Sequence, residues 1–96
     1  MYIVKLIPEA ESDFQKACEW YEDKQHGLGV RFYKAVSVKF DLIANNPTLY
    51  NIRFSERFRF APLESFPYLI SYKIDVDTNT VYIMSVFHTS RNPNKF

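Results

Sequence analysis

The sequence predicts an α+β fold in a single domain spanning residues 1–96. An N-terminal strand leads into an antiparallel helical hairpin, and a three-stranded antiparallel sheet follows. Three observations predict it. Two stretches with apolar residues at helical spacing flank the only glycines, Gly27 and Gly29. After Pro47 come three β-branched and aromatic runs separated by polar turns. An aromatic share of 18%, with nine Phe, seven Tyr and one Trp, lets so short a chain build a core.

Each element has its own local cause. Tyr2 to Ile7, YIVKLI, is β-branched and aromatic and reads as a strand. Pro8 suits the first position of a helix, where a missing N–H costs nothing, and Glu9, Glu11 and Asp13 suit its positive end. Ala10, Phe14, Ala17, Cys18 and Tyr21 mark the buried face of this helix. A second helix is expected from about Leu28 to Ala44. Its stripe is Phe32, Tyr33, Val36, Phe40 and Ile43, with Arg31, Lys34 and Lys39 off the stripe. Asn45-Asn46-Pro47 ends it, because the residue before proline is pushed out of the helical region and asparagine tolerates left-handed geometry. A short glycine-bearing turn makes the two helices antiparallel.

FRFAPL, Phe58 to Leu63, is the first late strand. YLISYKI, Tyr68 to Ile74, alternates Tyr68, Ile70, Tyr72 and Ile74 against Leu69, Ser71 and Lys73. Asp75 to Asn79 is a turn, and VYIMSVF, Val81 to Phe87, returns antiparallel. That last run lacks a polar face, so it belongs at the centre of the sheet, covered on both sides. The helical hairpin packs on one face, which leaves the other face or its edge for function.

Composition excludes several classes of function. A net charge of +1 gives no bulk argument for nucleic-acid binding. The distribution is uneven: Glu9 to His26 holds six acids against two lysines, whereas the second half is more basic. One cysteine forms no internal disulfide, and Cys18 on an apolar helical face reads as a buried thiol. Two histidines and one cysteine do not make a usual zinc site, and no phosphate loop, dinucleotide motif or nucleophile elbow is present. No cofactor is expected. Lys5, Pro8 and Glu9 interrupt the N-terminal apolar stretch, and no apolar run approaches the roughly 20 residues of a membrane span, so a cytoplasmic protein without membrane attachment is expected.

The candidate site is what remains: Arg53, Arg57, Arg59, His88, Arg91 and Lys95. Guanidinium groups fit phosphate oxygens, and imidazole moves protons near neutrality. Arg57 and Arg59 share a strand face. His88 closes the last strand, in parity with Tyr82, Met84 and Val86. If those strands are neighbours, His88, Arg59 and Arg91 converge on one sheet surface. There they would stabilise a phosphodiester transition state without a metal, with His88 serving an attacking 2′-hydroxyl. Arg53, Arg57 and Lys95 would add phosphate contacts. The competing reading is structural: a histidine in a turn, and arginines that guard a sheet edge. His26 reads as a helix-end partner, and Tyr2, Tyr50 and Tyr82 either stack on bases or pack.

The opening helix PEAESDFQKACEWYEDK, the NNP stop, the segment RFRFAPLESFPYLISYKI and the ending VFHTSRNPNK resemble the RelE/ParE toxin superfamily of type II toxin–antitoxin systems, in its ParE-like "plasmid stabilisation" branch. The resemblance covers essentially the whole chain. It implies a toxin held inactive by a cognate antitoxin, which would dock on the helical hairpin and the sheet edge and bind operator DNA only as a complex. Arg59 matches the family's arginine seven residues before the FPY phenylalanine, and His88 and Arg91 match its C-terminal histidine and arginine. The resemblance also implies a choice of targets. RelE-like members cleave mRNA on the ribosome, and the named His and Arg residues favour that reading here. ParE-like members poison DNA gyrase without a nuclease site. The HTSR ending resembles theirs, and neither a strong basic excess nor a tail tyrosine is present. An inactive toxin that serves only operon autoregulation is the third alternative.

Overall fold

The computed structural model describes residues 1–50 and 58–90. Strand β1 (Ile3–Leu6) leads into helix α1 (Pro8–Lys24) and helix α2 (Leu28–Asn45), followed by β2 (Arg59–Pro62), β3 (Tyr68–Asp75) and β4 (Thr80–His88). The strands form one sheet in the order β1-β4-β3-β2. The last three are antiparallel, as expected. The first strand joins them as a fourth member and runs parallel to β4, with Ile3 opposite Thr80 and Leu6 opposite Ile83. That addition places β4 in the interior of the sheet.

The helices cover one face. Pro8 opens α1 and Glu9 and Glu11 lie in its first turn. Ala10, Ala17 and Tyr21 are buried, while Phe14 and Cys18 are partly buried against the same core. Tyr21 and Phe32 project toward the sheet, with ring centroids 6.0 and 4.9 Å from that of Tyr68. Tyr68, Ile70, Tyr72 and Ile74 therefore form the helix-side face of β3, as the alternation predicts. Phe60, Ser71, Ser85 and Phe87 are buried on the opposite face, where the Ser71 and Ser85 hydroxyls are hydrogen-bonded to each other. That face is thus not an open platform.

Three local expectations change. Helix α2 stops at Asn45 because Asn46, ahead of Pro47, takes an extended φ of −149° rather than a left-handed one. Tyr33 is exposed, not part of the buried stripe. Lys39 moves the other way. It is only 2% exposed, in the same stripe as Phe32, Val36 and Ile43. Its spacing is that of a core position, and its charge type hid the fact.

The link between the helices is set by Gly27, Gly29 and Glu22. Gly27 has φ +86°, a conformation that an L side chain strains to adopt. The two oxygens of Glu22 accept the Gly27 N–H at 3.1 and 3.0 Å, and one also accepts the Gly29 N–H at 3.0 Å. These are donors that the start of α2 would otherwise leave unpaired, so one helix caps the other. His26, expected at this helix end, is fully exposed and pairs with Glu22 at 3.3 Å.

The hydrogen bond from Gly27 is the main cause that holds the Glu22 carboxyl below its ordinary value of 4.5. Desolvation opposes it, and Gly29 and His26 add to it. A depressed folded value contributes stability that is present above the unfolded value and lost as pH falls through the folded one. The melting temperature of wild type should therefore exceed that of Glu22→Gln at neutral pH. The gap should close as pH falls below about 4.5. A gap that stays constant across a pH series of thermal melts would count against this role of the charge.

Candidate functional site

The strand that ends in His88 contains a β-bulge. Ser71 pairs with Ser85 and Tyr72 with Ile83, which leaves Met84 as the extra residue of β4. The bulge reverses the parity of everything after it. His88 and Val86 therefore share a face with Ile83 and Val81, not with Tyr82 and Met84 as simple alternation predicts. His88 lies opposite Tyr68, with the ring centroids 5.3 Å apart and nearly perpendicular. It looks toward α1, into a cleft of about 260 Å3 lined in part by Asp13, Lys16, Trp20, Tyr68 and Val86.

The exit of the strand is fixed by short-range bonds. Thr89 donates its N–H and its hydroxyl to the Pro67 carbonyl at 2.9 and 3.3 Å. The Ser90 N–H donates to His88 Nδ1 at 3.1 Å. With Nδ1 as acceptor, the neutral imidazole carries its proton on Nε2. The turn-residue reading holds here: nearby backbone orients the ring.

Arg59 opens β2 opposite Tyr72, so it too is on the helix-side face. Its Nη1 donates to the Tyr50 carbonyl at 2.7 Å. The expected convergence with His88 does not occur, because β3 lies between β2 and β4. Arg59 pairs with Tyr72 and His88 with Tyr68, four residues apart along β3. At about 3.3 Å per residue and about 4.8 Å per strand, the two backbones are roughly 16 Å apart. Arg53, Arg57, Arg91 and Lys95 lie outside the described residues.

A polar cluster that sequence reasoning missed sits beside Arg59. Lys39 Nζ donates to Tyr50 Oη at 2.9 Å and to Glu64 Oε1 at 2.7 Å, and lies 5.2 Å from the Tyr50 ring centroid. Burial alone pushes the Lys39 ammonium toward losing its proton, but the bonds to Glu64 and Tyr50 outweigh it and its pKa is raised. The bond from Lys39 is the main cause that lowers the Glu64 carboxyl. Tyr72 donates its hydroxyl to the Pro47 carbonyl at 2.6 Å, and burial pushes its phenol up to about 12. The stripe spacing 32, 36, 39, 43 was the signal that could have found Lys39.

The tyrosines considered as base platforms are engaged in packing. Tyr2 and Tyr50 are packed against the core, and Tyr82 is half-buried under Lys73. Burial, aided by Glu19, pushes the Cys18 thiol up, which disfavours the thiolate. Among the described residues, no group of three metal-ligating side chains comes together, and no helix is long and apolar enough to cross a membrane. The hairpin carries exposed apolar side chains, Val30, Tyr33, Val38 and Leu42, on α2. Val30 and Tyr33 also line a depression of about 360 Å3, together with Cys18, Glu19, Glu22 and Gly29.

The model of a family described as "ParE toxin of type II toxin-antitoxin system, parDE" matches residues 4–93. Solved structures share the fold at low identity. A chain of the intact E. coli RelBE toxin–antitoxin complex superposes with a TM-score of 0.69 at 18% identity, over 92% of this chain and 96% of that one. The isolated E. coli RelE toxin gives 0.69 at 18%, over 92% and 84%. A chain of the chromosomal ParDE system from P. aeruginosa gives 0.67 at 15%, over 92% and 96%. No curated protein sequence matches significantly.

Proposed function

Because the chain belongs to the ParE toxin family of type II toxin–antitoxin systems, we propose that it arrests growth by binding DNA gyrase, without nuclease chemistry, until a cognate antitoxin neutralises it. The observation that carries the choice of target is the separation of Arg59 from His88. A proton-transfer group and the cation that stabilises the same phosphate must both lie within hydrogen-bond reach of it. Backbones roughly 16 Å apart, with Arg59 tied to the Tyr50 carbonyl and His88 turned toward α1, speak against such a pair. In this reading Arg59 contacts the target, His88 only holds the exit of β4 in place, and Arg53, Arg57, Arg91 and Lys95 supply further positive charge. The antitoxin docks on the outer side of the helical hairpin, where Val30, Tyr33, Val38 and Leu42 are exposed among Arg31, Lys34 and Asp41. The antitoxin-bearing complexes among the similar structures support such a partner.

One observation favours a second reading, ribosome-dependent mRNA cleavage by His88 with Arg91. The imidazole is mounted on a rigid strand end with its tautomer set by the Ser90 N–H, as proton transfer requires. Removal of such a group lowers cleavage by about 10²–10⁴-fold.

The two readings separate in one experiment. Wild type and His88→Ala are induced without antitoxin, and DNA and protein synthesis are followed by pulse labelling. The expected result is an early halt in DNA synthesis, with translation continuing and His88→Ala still toxic. A prompt halt in translation that His88→Ala relieves would overturn the gyrase assignment in favour of mRNA cleavage. Growth without any arrest would leave only a repressing partner of the antitoxin.

A further inference from the structure

Lys39 is a buried cation for which neither reading has a use. It occupies a core position of α2, yet it donates to two polar groups at the edge of that core, the Tyr50 hydroxyl and the Glu64 carboxylate. An apolar side chain of similar length would fill the same space without the cost of desolvating a charge. The ammonium therefore needs an account beyond packing.

What it holds is the segment that follows α2. Residues 47–50 are a turn with no strand or helix of their own. Two side chains pin this turn from opposite elements: Tyr72 of β3 at the Pro47 carbonyl and Lys39 of α2 at the Tyr50 hydroxyl. Glu64, just past β2, closes the lysine's other side. The Tyr50 carbonyl then receives Arg59 at 2.7 Å. The side chain of Tyr50 is thus fixed by Lys39, and its main chain fixes the guanidinium.

We propose that Lys39 is a positioning residue for Arg59, acting through Tyr50. An arginine loses much rotamer freedom when it binds, and one guanidinium donor already committed to a fixed carbonyl has lost part of it beforehand. Arg59 is then presented to its target in one orientation. The functional half of this inference rests on the reading of Arg59 as a target contact; the geometric half does not.

The test uses the full chain labelled with ¹⁵N, with the Arg59 guanidinium signals identified by their loss in Arg59→Lys. Tyr50→Phe removes only the hydroxyl that Lys39 holds and leaves the carbonyl that Arg59 binds. Lys39→Met removes the ammonium and keeps the volume. In both variants the Arg59 N–H protons should exchange with solvent about tenfold faster than in wild type, the scale of one lost hydrogen bond. The β3–β4 amides should be unchanged in Tyr50→Phe, the variant that keeps the fold should Lys39→Met fail to fold. Growth inhibition should fall in Tyr50→Phe to the level of Arg59→Lys, with the double variant no weaker than either. Unchanged Arg59 exchange in Tyr50→Phe would overturn the proposal. Full toxicity of Arg59→Lys would instead sink the role of Arg59 in toxicity, and the exchange rates would still decide the positioning.

Discussion

Replacing Phe32 with alanine is expected to cost about 3–5 kcal/mol, the range for removing a buried aromatic ring from a core. Phe32 is completely buried and is the point at which the two layers meet. Its ring centroid lies 6.2 Å from Phe14 and 5.0 Å from Tyr21 on the helix side, and 5.1 Å from Phe66 and 4.9 Å from Tyr68 on the sheet side. Because surrounding structure relaxes only partly, a cavity term adds to the lost transfer energy. A domain of this size has about 5–15 kcal/mol in total. At about 4–8 °C per kcal/mol, the melting temperature should fall by at least about 12 °C. Val30→Ala, on the exposed side of the same helix, should stay within about 0.5 kcal/mol. A Phe32→Ala protein that melts within a few degrees of wild type would mean that the layers are not joined through this ring.

The second large effect is expected at Gly29. A Cβ there would sit 2.6 Å from the Cys18 carbonyl oxygen and 2.9 Å from Glu22 Cβ. The first obstacle is helix backbone, which yields only if α1 moves away as a body. Overpacking of this kind typically costs about 1–3 kcal/mol. Gly29→Val belongs at the upper end, because the branched side chain also crowds the Glu22 carboxylate that caps α2. The denaturant midpoint should drop while the slope of the transition stays as in wild type. An unshifted midpoint would show that the hairpin can widen at no cost. Gly27 differs: the space around it is open, and its constraint is the positive φ alone.

Much of this architecture is legible in the sequence, and the misses have physical causes. Pro8 and Asn46-Pro47 punctuate the helices because proline restricts the backbone at and before it, and Gly27 and Gly29 because a positive φ and a close helix approach admit no side chain. The alternation in YLISYKI survives because β3 is regular. VYIMSVF departs from alternation at Met84, and a bulge residue has no compositional mark, so the side on which His88 emerges was unreadable. Lys39 was misplaced for a different reason. Assigning a residue to solvent by its charge fails when two long-range partners, Tyr50 and Glu64, neutralise the cost of burial. Strand order is a third kind of information. That β3 separates β2 from β4 depends on pairing, which local pattern does not encode, and the expected meeting of Arg59 and His88 failed there.

The parallel pairing of β1 with β4 also governs when the fold can exist. Ile3 and Thr80 face each other across nearly the full length of the chain. Closing so long a loop costs entropy before any contact repays it, and such pairings slow folding. β4 is also synthesised after every other described element, and β1, whose only neighbour it is, must await it. The helical hairpin, built from local contacts, can form while synthesis continues; the sheet cannot. The four-stranded sheet is therefore completed in a late step, after β4 has left the ribosome.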